Sequence, residues 1–102
     1  MTDQQTDRTG AVATIDRQAD RFTISVDGRE VGFAEFSDTA TRRSFFHTVV
    51  DRAYQGRGLA TILVAHALDA TRADGLRIAA PCWMVAEYIE KSGAYDDIAD
   101  LA

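Results

Sequence analysis

Very little in this chain can be cross-linked, metallated or threaded through a bilayer. A single cysteine, Cys82, excludes an internal disulfide and suits a reducing compartment, so a cytoplasmic location is expected. With that one thiol and only two histidines, His47 and His66, distant in sequence, no structural zinc site and no metal are expected. No apolar run approaches the ~20 residues of a membrane span. The polar start, residues 1–10, lacks the apolar stretch of a signal peptide and reads as a mobile tail. Positive charge is also short: 11 Lys and Arg against 16 Asp and Glu leave a net charge of −5. That sign disfavours a general nucleic-acid binder. Repeats and low-complexity segments are missing as well.

What is present is one small domain of 102 residues, 46% hydrophobic, over residues 11–102. A strand is possible near Ala11 to Asp16. Arg21 to Val26 alternates strictly, with Phe22, Ile24 and Val26 on one face, and predicts a strand. Asp27-Gly28 supplies a hairpin turn. Glu30 to Ser37 predicts the next strand, with Gly32 marking a bulge or close approach. Arg43 to Val50, β-branched and aromatic, predicts a third. The period then changes: Leu59, Ile62, Leu63, His66, Ala67 and Ala70 predict a long helix over about Gly58 to Asp74. Gly75 ends it. Leu76 to Ala80 has strand length and stops at Pro81, the only proline. Trp83 to Ser92 predicts a second helix ended by Gly93, and Asp96 to Leu101 a last short helical turn. The class is α+β, with a mainly antiparallel mixed sheet, a long helix after the third or fourth strand and a second C-terminal helix.

The junction Val49 to Thr61 is the richest segment. A strand meets a long helix through Gln55-Gly56-Arg57-Gly58, so unpaired helix amides, the helix dipole and a guanidinium converge there. Such a point suits a phosphate, although glycines also mark plain turns. A local basic spot (Arg42, Arg43, Arg52, Arg57) in an acidic protein fits one small anionic ligand. The phosphate-loop pattern is absent, since no Lys-Ser or Lys-Thr follows the second glycine. The dinucleotide-binding pattern is absent too, for want of a third glycine.

Gln55-Gly56-Arg57-Gly58-Leu59-Ala60 resembles, in register, the acyl-CoA signature of the GNAT superfamily of N-acetyltransferases: Gln or Arg, two residues, Gly, one residue, Gly or Ala. The likeness extends to a branch of small, single-domain GNAT-like proteins in His47-Thr48, Pro81-Cys82 and Tyr88-Ile89, and covers Phe22 to Ile98. One departure stands out. Where the branch often has His-Pro-Glu-Tyr, this chain has Ser92-Gly93-Ala94-Tyr95. The resemblance implies that amides from Gly56 through Leu59 to Ala60 and Thr61, with Gln55, Arg57 and Arg52, hold the coenzyme A diphosphate. It implies that Val49 and Val50 pair with the pantetheine arm as an added strand would. It also places the thioester where the strand after the long helix parts from its neighbour.

Three residues are candidates for the chemistry. Cys82, between a strand end and a helix start that would favour its thiolate, either accepts the acyl group or shapes the pocket while an amine attacks directly. Direct attack is the usual superfamily route. A lone cysteine is equally a small buried hydrophobe. His47, expected to share a face with Phe45 and Val49, is either a proton acceptor or a hydrogen-bonded core residue. His66 lies on the apolar helix stripe and reads as structural. Tyr88 and Lys91 share a helix face: Tyr88 would give a proton to the leaving thiolate and Lys91 would border the ligand, unless one is core and the other a solvated charge. Trp83 packs or walls the acyl pocket. The expected function is acetyl-CoA-dependent transfer of an acetyl group to an amine, on a small molecule or a protein lysine; the alternative is a non-catalytic CoA-binding or regulatory module. The acidic balance favours a basic acceptor such as a polyamine or lysine-rich protein. Set beside typical members of the superfamily it resembles, the chain is short, and no segment reads as the helices that usually wall the acceptor side.

Overall fold

The computed structural model describes residues 2–100. Seven strands form one sheet in chain order: β1 (Thr2–Thr6), β2 (Val12–Arg17), β3 (Arg21–Val26), β4 (Arg29–Asp38), β5 (Arg42–Val50), β6 (Arg77–Ala79) and β7 (Ala99–Asp100). The first five pair antiparallel; β6 and β7 join in parallel. Two helices, α1 (Leu59–Ala73) and α2 (Trp83–Ser92), make the parallel crossovers. No helix among the described residues is long and apolar enough to cross a membrane.

Alternation builds one core. Phe22, Ile24, Ala34, Phe36 and Phe45 point from the sheet into Leu59, Leu63, Leu68, Val85 and Ile89 of the helices. Both helices share this core, as expected when two right-handed crossovers proceed in the same direction along a sheet. The other face keeps Val12, Phe46 and Val49 more than a third exposed. At the β3–β4 hairpin, Asp27 and Gly28 both take positive φ, the turn that Asp-Gly favours.

Two expectations need correction. Residues 2–6 of the expected tail form an edge strand on β2; an edge strand needs main-chain partners rather than apolar side chains, so hydrophobic periodicity misses it. The last helical turn expected from Asp96 is instead a run of turns leading into β7, beside β6; Leu101 lies outside the described residues. Counted from β1, the long helix follows the fifth strand.

Candidate active site at the opening of the sheet

The loop from β5 to α1 begins at Asp51, whose carboxylate accepts from the Ala53 amide (3.1 Å) and starts a single 3-10 turn. Gly56 and Gly58 follow at φ 81° and 80°. Gly58 is the N-cap of α1 and offers no side-chain acceptor. Its carbonyl receives the Ile62 amide at 3.1 Å, so the amides from Gly56 to Thr61 donate to no protein group among the described residues. Val50, Gln55, Gly56, Gly58, Leu59, Ala60 and Thr61 line one cleft of about 230 Å³, together with Tyr54 and Met84. Gln55 leans on the strand end, its Nε2 3.5 Å from the Val50 carbonyl oxygen. Open amides, a helix N-terminus and two glycines, of which Gly56 has nothing near its α-carbon and Gly58 has the Arg8 side chain beside it, are a donor set that fits a diphosphate.

Arg57 is turned elsewhere. Its Nε donates to Asp7 Oδ2 (2.9 Å) and a terminal nitrogen to Thr9 Oγ1 (2.9 Å), while the guanidinium stacks 5.0 Å from the Tyr54 ring centre. The Asp7 side chain is fully buried. It also accepts from Thr9 Oγ1 (2.7 Å) and from the amides of Thr9 (2.8 Å) and Ala11 (3.1 Å). The bond from the Thr9 hydroxyl, chief among these, holds its carboxyl below the ordinary range against the opposing effect of burial. The main chain joins in, with the Arg8 amide on the Arg57 carbonyl at 3.0 Å. The guanidinium expected on the phosphates therefore fastens the loop to the turn between β1 and β2. Nothing in the local sequence signals this pairing across fifty residues.

The sheet opens beside the cleft. β5 pairs with β6 only at Arg42, Arg43 and Ser44. The Cys82 amide then donates to the Phe45 carbonyl at 3.2 Å, and beyond it this edge of β5 has no strand partner among the described residues. Cys82 is the N-cap of α2 and packs, half-buried, against the core. On β5, Glu35 faces His47 while Phe36 faces Phe45, so Phe46 is an extra residue. That bulge turns His47 and Val49 outward and leaves Phe45 inward, contrary to the shared face expected for all three. The His47 side chain is 55% exposed, with Nδ1 3.6 Å from Glu35 Oε1 and its ring 5.7 Å from Phe33. Cys82 and His47 thus flank the point where β5 and β6 part, on opposite sides of β5.

A second groove, of about 260 Å³, runs between α1 and α2. Tyr88 and Lys91 line it with Trp83, Met84 and Glu87, and it shares Ala60, Thr61 and Met84 with the first. Lys91 is held by Glu87 at 2.6 Å. Trp83 is 69% exposed at its rim, and Met84 joins the two grooves, a role that the sequence did not single out. His66, on α1, meets the Phe22 ring edge-on at 5.9 Å. Among the described residues, no cluster of three His, Cys, Asp or Glu could hold a metal ion.

Comparison with known proteins agrees with this geometry. Residues 21–98 match the family described as GCN5-related N-acetyl-transferase. No curated protein sequence matches. Among solved structures, a GCN5-like protein from Staphylococcus aureus superposes with a TM-score of 0.68 at 20% identity, over 86% of this chain and 88% of the other. The ribosomal-protein-S18-alanine N-acetyltransferase of Escherichia coli superposes with a TM-score of 0.56 at 23% identity, over 61% of this chain and 42% of the other. At such identities the likeness is one of fold.

Proposed function

Because this chain belongs to the GCN5-related N-acetyltransferase family, we propose that it binds acetyl-CoA in the cleft at the start of α1 and acetylates an amine in the cytoplasm. The single observation behind this reading is the row of unpartnered amides from Gly56 to Thr61, opening into a cleft that Val50 and Gln55 continue along β5. Those amides hold the diphosphate, helped by the dipole of a fifteen-residue helix. The free edge of β5, at Val49 and Val50, pairs with the amide-bearing arm. Tyr88 and Lys91 border the adjoining groove.

When bound, the cofactor supplies an activated acyl carbon and a thiolate leaving group. The amine nitrogen bonds to that carbon, the C–S bond breaks, and the ammonium proton has to leave. His47, exposed beside the gap, takes that proton; Tyr88 returns one to the departing sulfur. Cys82 lines the pocket, and the amine attacks directly. The sheet face bearing His47 carries no helix among the described residues, which leaves room for a bulky acceptor such as a lysine side chain of a protein or a polyamine.

Calorimetry tests the binding step. The wild type is expected to bind acetyl-CoA, and Gly58→Glu to lose binding, because a side chain there is strained at positive φ, meets Arg8, and puts a negative charge next to the amides that would hold the diphosphate. Thermal melting of the variant checks that it still folds. His47→Ala is expected to lose acyl transfer while keeping cofactor affinity; a wild type that binds acetyl-CoA but acetylates no amine panel would leave a binding module instead. Radiolabel retained on the wild-type protein but not on Cys82→Ser under single-turnover conditions would replace direct attack with a covalent route.

A further inference from the structure

Thr48 stands out among the buried polar groups. It is 8% exposed, and among the described residues its Oγ1 is the one buried side-chain oxygen or nitrogen with no hydrogen-bond partner. Thr71, buried more deeply still, donates to the Ala67 carbonyl at 2.8 Å and receives Arg43 at 3.4 Å, so this core satisfies a hydroxyl where it can. A buried hydroxyl left unpaired is destabilising, because it gives up its bonds to water and gains none in return.

Its position gives the orphan a use. After the bulge at Phe46, the core-facing residues of β5 are Thr48 and Val50. Val50 lines the cleft with Gln55 and Gly58. In the other direction, the Phe45 carbonyl holds the amide of Cys82. Thr48 therefore sits midway between the amide cradle and Cys82, on the stretch of β5 that β6 leaves unpaired. A chain laid along that stretch has strand carbonyls to receive its N–H groups. That edge presents strand N–H groups as well, and a hydroxyl beside it adds a further donor for a carbonyl oxygen, which has two lone pairs to fill.

We propose that Thr48 is a ligand-binding residue of this gap, its hydroxyl donating a hydrogen bond to a carbonyl oxygen of the bound acyl-CoA. The inference rests on the acyl-CoA reading above. The carbonyl belongs either to an amide of the pantetheine arm or to the thioester, and the two are separable with coenzyme A, which has only the amides, and acetyl-CoA, which has both.

Thr48→Val removes the hydroxyl and keeps the shape; Thr48→Ser keeps the hydroxyl. Without ligand, Thr48→Val is expected to melt at or above the wild-type temperature, since an unpaired group has been deleted. Its affinity by calorimetry is expected to fall about 3- to 10-fold, the worth of one neutral hydrogen bond, with Thr48→Ser near wild type. A loss with both ligands assigns an amide carbonyl; a loss with acetyl-CoA alone assigns the thioester. Unchanged affinity of Thr48→Val for both ligands overturns the proposal. So does a lowered melting temperature without ligand, which would mean that the hydroxyl has a structural partner. If the wild type binds neither ligand, the acyl-CoA reading itself fails, and the wild-type titration identifies that case.

Discussion

Arg57 shows how a side chain next to a motif can serve it indirectly. The guanidinium reaches back to Asp7 and Thr9, and the amides of its loop keep no protein partner among the described residues, free for the proposed ligand. The glycine spacing was legible because it is local; the partner was not, because no local pattern links residues 7 and 57. Asp7 carries a testable consequence. Its carboxyl is depressed below its usual 3.8, first by the Thr9 hydroxyl and then by the Thr9 and Ala11 amides and Arg57, with burial opposing them. A depressed carboxyl stabilises the fold above its unfolded pKa, and this contribution is lost as pH falls through the folded value. Asp7→Asn should therefore melt lower than wild type at pH 7, with a gap that narrows once the pH drops below about 4. A gap of the same size at pH 3 and pH 7 would show that the charge plays no part. The variant should also bind acetyl-CoA more weakly, since its phosphate loop has lost an anchor.

At the scale of elements, β4 and β5 are set by two local irregularities. The first is Gly32, where an added Cβ would lie 2.7 Å from the Val49 carbonyl oxygen and 3.1 Å from Ile24 Cγ2. The obstacle is backbone, so it cannot swing aside. Gly32→Ala should push β5 away from β4 and cost about 2 kcal/mol, in the range of overpacked cores, read by urea denaturation. Acetyl-CoA affinity should fall with it if Val49 and Val50 form the edge that the ligand meets, as proposed. A fully stable variant would mean that the strands separate easily. The sequence marked Gly32 as a bulge or close approach, and the structure has both: Val49 of β5 lies close to it, and against β3 the register skips Val31, so β4 bulges beside the glycine. The second irregularity, the extra residue Phe46, was hidden: a period of two places Phe45, His47 and Val49 together, and one inserted residue separates the first from the others. Helix spans came through better. α2 runs from Trp83 to Ser92 as its spacing and Gly93 predicted, because glycine and hydrophobic period are local signals. β1 did not, because its side chains are polar and its partner is remote.

Over the whole molecule, the firmest anchoring lies at the end of β5 away from the cleft. Arg43, 1% exposed, donates to both oxygens of Asp38 (2.9 and 3.0 Å), lies 3.0 Å from Asp74 Oδ2, and packs 4.6 Å from the Phe36 ring centre. Arg17 on β2 meets the same Asp74 oxygen at 2.6 Å. One buried cation thereby ties β2, the β4–β5 hairpin and the end of α1 together, and the opposite end of β5 is left free to open. Burial alone would weaken such a charge; the bonds to Asp38 and Asp74 outweigh it and keep the guanidinium firmly protonated. The two carboxylates are only partly buried, 38% and 33% exposed, and Asp74 retains Arg17. Loss of Arg43 would thus strand little charge but leave a large void between Phe22 and Phe36. Arg43→Ala should cost about 3 kcal/mol, as for a large side chain cut back in a core, and Arg43→Met should recover more than half of that by refilling the space. Equal losses in the two variants, measured by denaturant unfolding, would show that charge rather than volume holds this corner. Acetyl-CoA affinity at temperatures where both variants stay folded should match wild type, because the network touches neither the amide cradle nor the gap.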